Sequence, residues 1–210
     1  MIPPPPSPFP PITRLAIPAG TVVHRIHGRS FDPDRFNPCQ GRPTRFAPLF
    51  RSDGSCIPTA YGAQSLECAA HETVFHEIQH GAARKTIDAD AVAALDHSTV
   101  SASRGLTLCC LFEPDLNRWE LTRRDLVDTF ASAYQRTALW ASAIHDAHSD
   151  IDGLVWTSRR CDPVLAYVLF GDRLGGNCLE VLSRQRIGTT PALLSRLREF
   201  GSRAGITLVV

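Results

Sequence analysis

The sequence predicts a single α+β domain in which strands and helices are interspersed. The chain has 210 residues, 43% of them hydrophobic and 20% charged, which is ordinary for a soluble globular protein with one core. Strand-like and helix-like segments alternate too irregularly for a doubly wound parallel sheet. No internal repeat and no linker interrupts the chain after residue 11. We therefore expect a proline-rich N-terminal arm over residues 1–11 and one domain over residues 12–210.

Composition argues against several classes of partner. The formal net charge of +1 gives no indication of direct nucleic-acid or membrane-surface binding. No run of eighteen apolar residues is present, so no membrane span is expected. Residues 1–11 lack a basic leader and an apolar segment, so we expect no signal peptide. The seven cysteines form no CxxC pair, and their odd number favours reduced thiols and a cytoplasmic location.

In the first half of the chain, the pattern changes from extended to helical. The arm is mostly proline and favours polyproline structure. Residues 12–25 combine β-branched residues with a Pro-Ala-Gly turn, which predicts short strands. Residues 31–55 are rich in Pro, Gly, Asp, Asn and Arg, so they predict a long loop, and long ordered loops are usually functional. Helical spacing of apolar residues then predicts a helix over residues 65–80, ended by Gly81.

The second half alternates between the two periodicities. Thr122 and Asp125 resemble a capping box at the start of a helix, and Thr190 followed by Pro191 is a typical helix start. The remaining predictions are a helix over residues 132–147, a helix from Thr190 to near Gly201, and strands over residues 106–112, 153–157, 164–170, 178–181 and 206–210.

One compact motif suggests a metal. His76-Glu77-Ile78-Gln79-His80 fits the pattern H-E-x-x-H. On a helix, histidines four residues apart share a face and can hold zinc, with the glutamate as base. The extended form with a third histidine is missing, since Gly81 follows at once. The alternative is that His80 interacts with the C-terminal end of the helix dipole. A zinc metallopeptidase therefore remains an alternative to the function that follows.

A second set of residues is dispersed along the chain. Arg25 ends a predicted strand, and Arg45 lies in the loop segment Arg45-Phe46-Ala47-Pro48. Tyr61 precedes the long predicted helix, and Glu72 lies within that helix beside its apolar face. Further along are Ser132 and Gln135 in the next helix, and the strand Asp152-Gly153 to Ser158.

In this order and spacing, these residues resemble the RES-domain family, whose name comes from an arginine, a glutamate and a serine. The resemblance covers roughly residues 20 to 185. In the family the loop usually reads Arg-aromatic-Asn-Pro, whereas this chain has Ala47 in place of the Asn. The resemblance implies a single domain with an ADP-ribosyltransferase-like fold, built of mixed or antiparallel sheets flanked by helices. It also implies a catalytic domain over residues 12–210 that degrades NAD.

The resemblance implies specific roles for these residues. Glu72, Arg25 and Ser132 are expected to be catalytic, and Arg45, Tyr61 and Ser158 to bind NAD. Nicotinamide is already cationic, so it leaves without protonation and the ribose becomes oxocarbenium-like, a charge that one carboxylate stabilises. Arg25 and Arg45 suit the pyrophosphate because guanidinium groups bind phosphates in bidentate fashion.

Cofactors and partners are expected from the same resemblance. No metal or other cofactor is required, and inorganic phosphate is a possible co-substrate. The family implies the toxin of a toxin–antitoxin pair, neutralised by a helix-turn-helix antitoxin of the Xre type. The sequence leaves open whether water, phosphate or a protein accepts the ADP-ribose, so a protein ADP-ribosyltransferase is the other alternative.

Overall fold

A computed structural model describes residues 2–76, 78, 81–175 and 177–209. It confirms the α+β class: a mixed sheet of eight strands carries helices and two small additional sheets. The strands are β1 (Arg14–Ile17), β2 (Val22–Gly28), β3 (Leu49–Phe50), β4 (Cys56–Ile57), β5 (Thr59–Ala63), β6 (Thr86–Asp88), β7 (Leu95–Ala102), β8 (Leu106–Cys110), β9 (Gly153–Thr157), β10 (Leu165–Phe170), β11 (Leu179–Arg186) and β12 (Thr207–Val209).

The helices are short except for two. They are α1 (Leu66–Thr73), α2 (Ala89–Ala93), α3 (Glu113–Arg118), α4 (Arg123–Leu126), α5 (Tyr134–Ala147), α6 (Gly171–Leu174) and α7 (Pro191–Arg203). Two 3-10 turns, Ala131–Ala133 and Ile187–Thr189, precede α5 and α7. The predicted capping box is present, since the Thr122 N–H and hydroxyl both donate to Asp125 at 2.9 and 2.7 Å. None of the helices in the described ranges is long and apolar enough to cross a membrane.

The main sheet has the order β1-β8-β9-β10-β5-β2-β7-β11. Its pairs are antiparallel except for β8 with β9. Buried apolar residues form two clusters. The larger cluster includes α1, α5 and α7 residues such as Leu66, Ala141 and Leu197. Packing of this cluster places β2 and β5 beside α1, and the site lies where these three elements meet.

The helix predicted over residues 65–80 ends earlier than expected. Ser65 caps α1 by accepting a hydrogen bond from the Cys68 N–H at 3.1 Å, but the helix ends at Thr73. The Nδ1–H of His76 then donates to the Thr73 carbonyl at 2.8 Å. Arg160, from a distant loop, donates to the carbonyls of His76 and Ile78. Because these carbonyls bind side chains instead of continuing a helical ladder, the prediction was wrong for residues 74–76 and 78, and the rest of the predicted segment up to residue 80 lies outside the described residues.

Residues 82–105 contain structure that the sequence did not predict. β6, α2 and β7 lie there, and β7 is the strand between β2 and β11. Its residues include the buried polar side chains Asp96, His97, Ser98 and Ser101. These polar residues interrupt the run of apolar residues by which a buried strand is recognised in a sequence.

The cysteine prediction was wrong for two residues. Cys39 and Cys56 form a disulfide, although an odd, unpatterned count suggested reduced thiols throughout. Cys68, Cys109, Cys110, Cys161 and Cys178 are free. The bond joins the loop after β2 to β4, so it closes the long loop predicted over residues 31–55. The cysteine count therefore no longer supports a cytoplasmic location.

Candidate active site

A cavity of about 360 Å³ lies between the end of α1, strands β2 and β5, and the loop that connects β2 to β3. This volume is at the lower end of the range for small-molecule sites. Four of the six predicted site residues line it, namely Arg25, Arg45, Tyr61 and Glu72. Its described lining contains four arginines and one glutamate, so the cavity is cationic and suits an anionic ligand.

The centre of the cavity is a buried ion pair. A terminal nitrogen of Arg45 lies 2.8 Å from Oε2 of Glu72, and the side chains are only 8% and 11% exposed. The guanidinium also lies over the ring of Trp156, 5.7 Å from its centroid. The Arg45 loop is tied to α5, since the Thr137 hydroxyl donates to the Arg45 carbonyl. Glu72 is thus held from two directions, by the helix that carries it and by the loop.

Glu72 is ionised at neutral pH. Burial alone raises the pKa of its carboxyl, but the charge and hydrogen bond of Arg45 and a hydrogen bond from Ser158 outweigh burial. The pKa of Glu72 therefore lies below its ordinary value. Ser158 is fully buried and does not line the cavity. Ser158 therefore acts on the cavity through its effect on the pKa of Glu72.

Tyr61 lies on β5 in the wall of the cavity. Its hydroxyl accepts hydrogen bonds from the Phe46 N–H at 2.8 Å and the Thr44 hydroxyl at 3.0 Å. Burial raises the pKa of Tyr61 to about 12, so the phenol stays neutral. The hydroxyl fixes the loop, and the ring remains available for the stacking role predicted for it.

Arg25 has a different place from the one predicted. Its guanidinium donates to the carbonyls of Tyr61 at 3.0 Å, of Arg35 at 3.3 Å and of Pro33. Its side chain is buried, and burial lowers its pKa to about 10. Because most of its donors bind backbone carbonyls, Arg25 organises the loop that follows β2, while its side chain also lines the cavity.

Ser132 is not brought to the cavity. It lies in the exposed 3-10 turn before α5 and is not among the lining residues. Tyr134, two residues later, lines the cavity instead. Successive residues of a helix point about 100° apart, so residues that are close in sequence face different directions. Sequence spacing alone did not show which of these positions faces the cavity.

Sequence reasoning also missed several lining residues. His24 on β2 lines the cavity, and its Nδ1 lies 3.1 Å from Nε2 of the buried His97 on β7. Burial lowers the pKa of both, to about 4 for His97, so both are neutral at pH 7. Arg35 and Arg42 also line the cavity. The number of arginines in the loop predicted over residues 31–55 is the sequence signal that could have identified them.

The H-E-x-x-H motif is only partly described. Glu77 and His80 lie outside the described residues, as does Gln79. α1 ends before the motif begins, and His76 caps that end, so the described part does not provide the helix on which the zinc geometry depends. Among the described residues, no group of three His, Cys, Asp or Glu side chains is arranged to hold a metal.

Comparisons with known proteins concern the family and the fold of the chain. The family model described as the RES domain matches residues 22–186, more than half of the chain. The fold is similar to a chain in the crystal structure of the M. tuberculosis MbcT–MbcA toxin–antitoxin complex. The TM-score is 0.63 and the identity 18%, over 88% of this chain and 92% of that chain. A search of curated proteins gives no match.

Proposed function

We propose, because the chain belongs to the RES-domain family, that it cleaves the bond between nicotinamide and ribose in NAD. The observation that carries this proposal is the buried Arg45–Glu72 ion pair in a cationic cavity. It combines an ionised carboxylate, which stabilises a cationic transition state, with surroundings that attract a negatively charged substrate.

The reaction follows from the charges of the reactants. The bond between C1′ of the ribose and the nicotinamide nitrogen breaks, and its electron pair neutralises the pyridinium. Positive charge develops on the ribose, next to the Glu72 carboxylate. An oxygen of water or phosphate then bonds to C1′, and water loses its proton to solvent or to a nearby base. Arg45 keeps Glu72 ionised and oriented, so the carboxylate is in place before the charge develops.

NAD phosphorolysis and NAD hydrolysis use this same pocket. The test is to incubate the purified protein with NAD, with and without inorganic phosphate, and identify the products by mass spectrometry. Free nicotinamide with ADP-ribose indicates a glycohydrolase, and free nicotinamide with phosphorylated ADP-ribose a phosphorylase. ADP-ribose attached to protein would indicate a protein ADP-ribosyltransferase instead. Failure to release nicotinamide under any of these conditions would overturn the proposal.

The biological role that we propose is that of a toxin held inactive by an antitoxin. The solved structure with a similar fold comes from a toxin–antitoxin complex, and the family resemblance favours a helix-turn-helix antitoxin of the Xre type. Expression of the chain alone should deplete NAD and arrest growth, and co-expression of the antitoxin should restore both. Normal NAD levels despite abundant folded protein would contradict this role.

We also propose that the protein acts in the cytoplasm, because that is where its substrate is available. Disulfides are unusual in that compartment. The Cys39–Cys56 bond is therefore the observation that argues against this location. Fractionation of cells that make the protein at native levels tests it, and recovery of the chain outside the cytoplasmic fraction would contradict it.

A further inference from the structure

Two arginines at the mouth of the cavity have no role in the chemistry proposed above. Arg35 and Arg42 both line the cavity, and both are exposed to solvent. Within the described part of the chain, neither guanidinium is within ion-pair distance of a carboxylate or donates a hydrogen bond. Their positive charges are therefore available to a ligand.

The other two lining arginines are already engaged. Arg25 donates to backbone carbonyls, and Arg45 is paired with Glu72. Glu72 is also the one acidic side chain in the described lining. Since Arg45 compensates its charge, an anion that enters the mouth meets the field of Arg35 and Arg42 with little opposing charge.

The loop that carries these arginines is fixed at several points. The Asn37 side chain accepts from the Gln40 N–H at 2.8 Å and donates to the Gln40 carbonyl at 2.9 Å. The Cys39–Cys56 disulfide ties the loop to β4. Beyond Arg42, the Thr44 hydroxyl donates to that of Tyr61. Arg35 and Arg42 are thus held on an ordered backbone, which reduces the entropy lost when they bind a ligand.

We propose that Arg35 and Arg42 form a phosphate-binding pair at the cavity mouth. This inference rests on the proposed function for the identity of the natural ligand. The proposed reaction requires the nicotinamide ribose to lie beside Glu72, so the diphosphate of the same molecule extends toward the mouth of the cavity. The same pair also suits an inorganic phosphate that serves as co-substrate, because guanidinium groups bind either phosphate through charge-assisted hydrogen bonds.

Binding of two simple anions tests the pair without relying on catalysis. Titration calorimetry measures the Kd of inorganic pyrophosphate and of inorganic phosphate for the wild type, Arg35→Gln, Arg42→Gln and the double variant. Each single substitution should weaken binding about tenfold, and the double variant about a hundredfold, as expected for lost charged hydrogen bonds. Arg198→Gln is the matched control, since Arg198 is an exposed arginine on α7 that does not line the cavity.

Steady-state kinetics then identify the source of the phosphate. A higher KM for NAD in the double variant indicates the diphosphate, and a higher KM for inorganic phosphate indicates the co-substrate. The proposal is overturned if the wild type binds neither anion or if the double variant binds them as tightly as the wild type. If the wild type binds the anions, the double variant does not, and the wild type fails to cleave NAD, the phosphate site stands and the proposed function falls.

Discussion

At the scale of single residues, the central feature of the cavity is the Arg45–Glu72 ion pair. The two side chains lie 27 positions apart in sequence, meet at 2.8 Å and are only 8% and 11% exposed. Removing one member of such a pair leaves a buried charge without compensation, which typically costs about 3–5 kcal/mol. The pair therefore couples the loop to helix α1 as well as supplying the carboxylate.

Substituting Glu72 with Gln should separate chemistry from binding. The amide retains the size of the side chain but not its charge, so turnover of NAD should fall about a hundredfold or more while its Kd changes little. The free energy of unfolding should also fall, since Arg45 loses its counter-ion. Stopped assays of nicotinamide release, NAD titration and urea unfolding measure the three quantities.

Glu77→Gln is the control for that experiment. If Glu77 were the base of a zinc site, Glu77→Gln would abolish activity. If Glu72 is the catalytic carboxylate, Glu77→Gln should leave NAD cleavage almost unchanged. If Glu77→Gln abolished activity and Glu72→Gln did not, the assignment of the site to Glu72 would be wrong. Retention of activity after chelator treatment is expected for the same reason.

The lowered pKa of Glu72 predicts how stability depends on pH. A carboxyl whose pKa is lower in the folded state stabilises the fold above its unfolded pKa of about 4.3, and this contribution is lost as pH falls through the folded pKa. The stability difference between wild type and Glu72→Gln should therefore be constant from pH 7 to about pH 5 and shrink at lower pH. Urea unfolding of both proteins from pH 7 to pH 3 measures it, and a difference that does not change with pH would contradict the ion pair.

At the scale of elements, local signals in the sequence were sufficient where they did not depend on distant contacts. The strand β9, the capping box at Thr122 and the helix after Thr190 were all predicted from neighbouring residues. The end of α1 was not predictable in this way, because Arg160 binds the carbonyls beyond it from 82 to 84 residues away. β7 was missed because it buries polar side chains: Asp96, His97 and Ser98 find their partners on the neighbouring strands β2 and β11.

The same distinction applies to the site. Sequence order identified Arg25, Arg45, Tyr61 and Glu72, and all four line the cavity. Sequence does not show which acceptor a guanidinium meets, so it does not predict that Arg25 binds backbone carbonyls or that Arg45 pairs with Glu72. Arg35 and Arg42 of the same loop are exposed and have no such buried partner among the described residues.

The disulfide should stabilise the loop that carries Arg42 and Arg45. It links residues 17 positions apart, and closing a loop of about that length typically stabilises a fold by about 3 kcal/mol. The double substitution Cys39→Ser with Cys56→Ser should lower the free energy of unfolding by up to that amount. It should also raise the KM for NAD more than it lowers turnover, since Glu72 itself stays in place.

Cys161→Ser is the matched control, because Cys161 is a free and partly exposed cysteine. Peptide mapping without reductant should recover Cys39 and Cys56 in one linked fragment. Unchanged unfolding and unchanged KM in the double variant would show that the bond does not organise the loop in solution.

At the scale of the whole molecule, the proline-rich arm is packed against the domain. The indole N–H of Trp140 donates to the Pro3 carbonyl at 2.8 Å, and that of Trp119 to the Pro11 carbonyl at 3.3 Å. Phe9 meets both indoles edge-on, at centroid distances of 5.3 and 5.8 Å. The family match begins only at residue 22, so the arm adds packing outside the matched region.

Deleting residues 2–11 should therefore weaken the fold without changing catalysis. The deletion exposes Trp119 and Trp140, which are 5% and 1% exposed in the intact chain, and removes the partners of their indole N–H groups. Burial of Phe9 and two hydrogen bonds together should stabilise the fold by about 2–4 kcal/mol. No described arm residue lines the cavity, so kcat and KM for NAD should stay at wild-type values at temperatures where the shortened protein is folded.

Two point variants assign this effect to packing. Phe9→Ala should give roughly half of the destabilisation caused by the deletion, since it removes the ring but leaves the Pro3 and Pro11 carbonyls in place. Ser7→Ala changes an exposed residue of the same arm and should leave the urea midpoint unchanged.

If the deletion of residues 2–11 left the urea midpoint unchanged, the arm would not be packed in solution. If it abolished NAD cleavage while the circular dichroism spectrum stayed native, the arm would belong to the active site, because packing alone does not account for a loss of turnover in a folded protein.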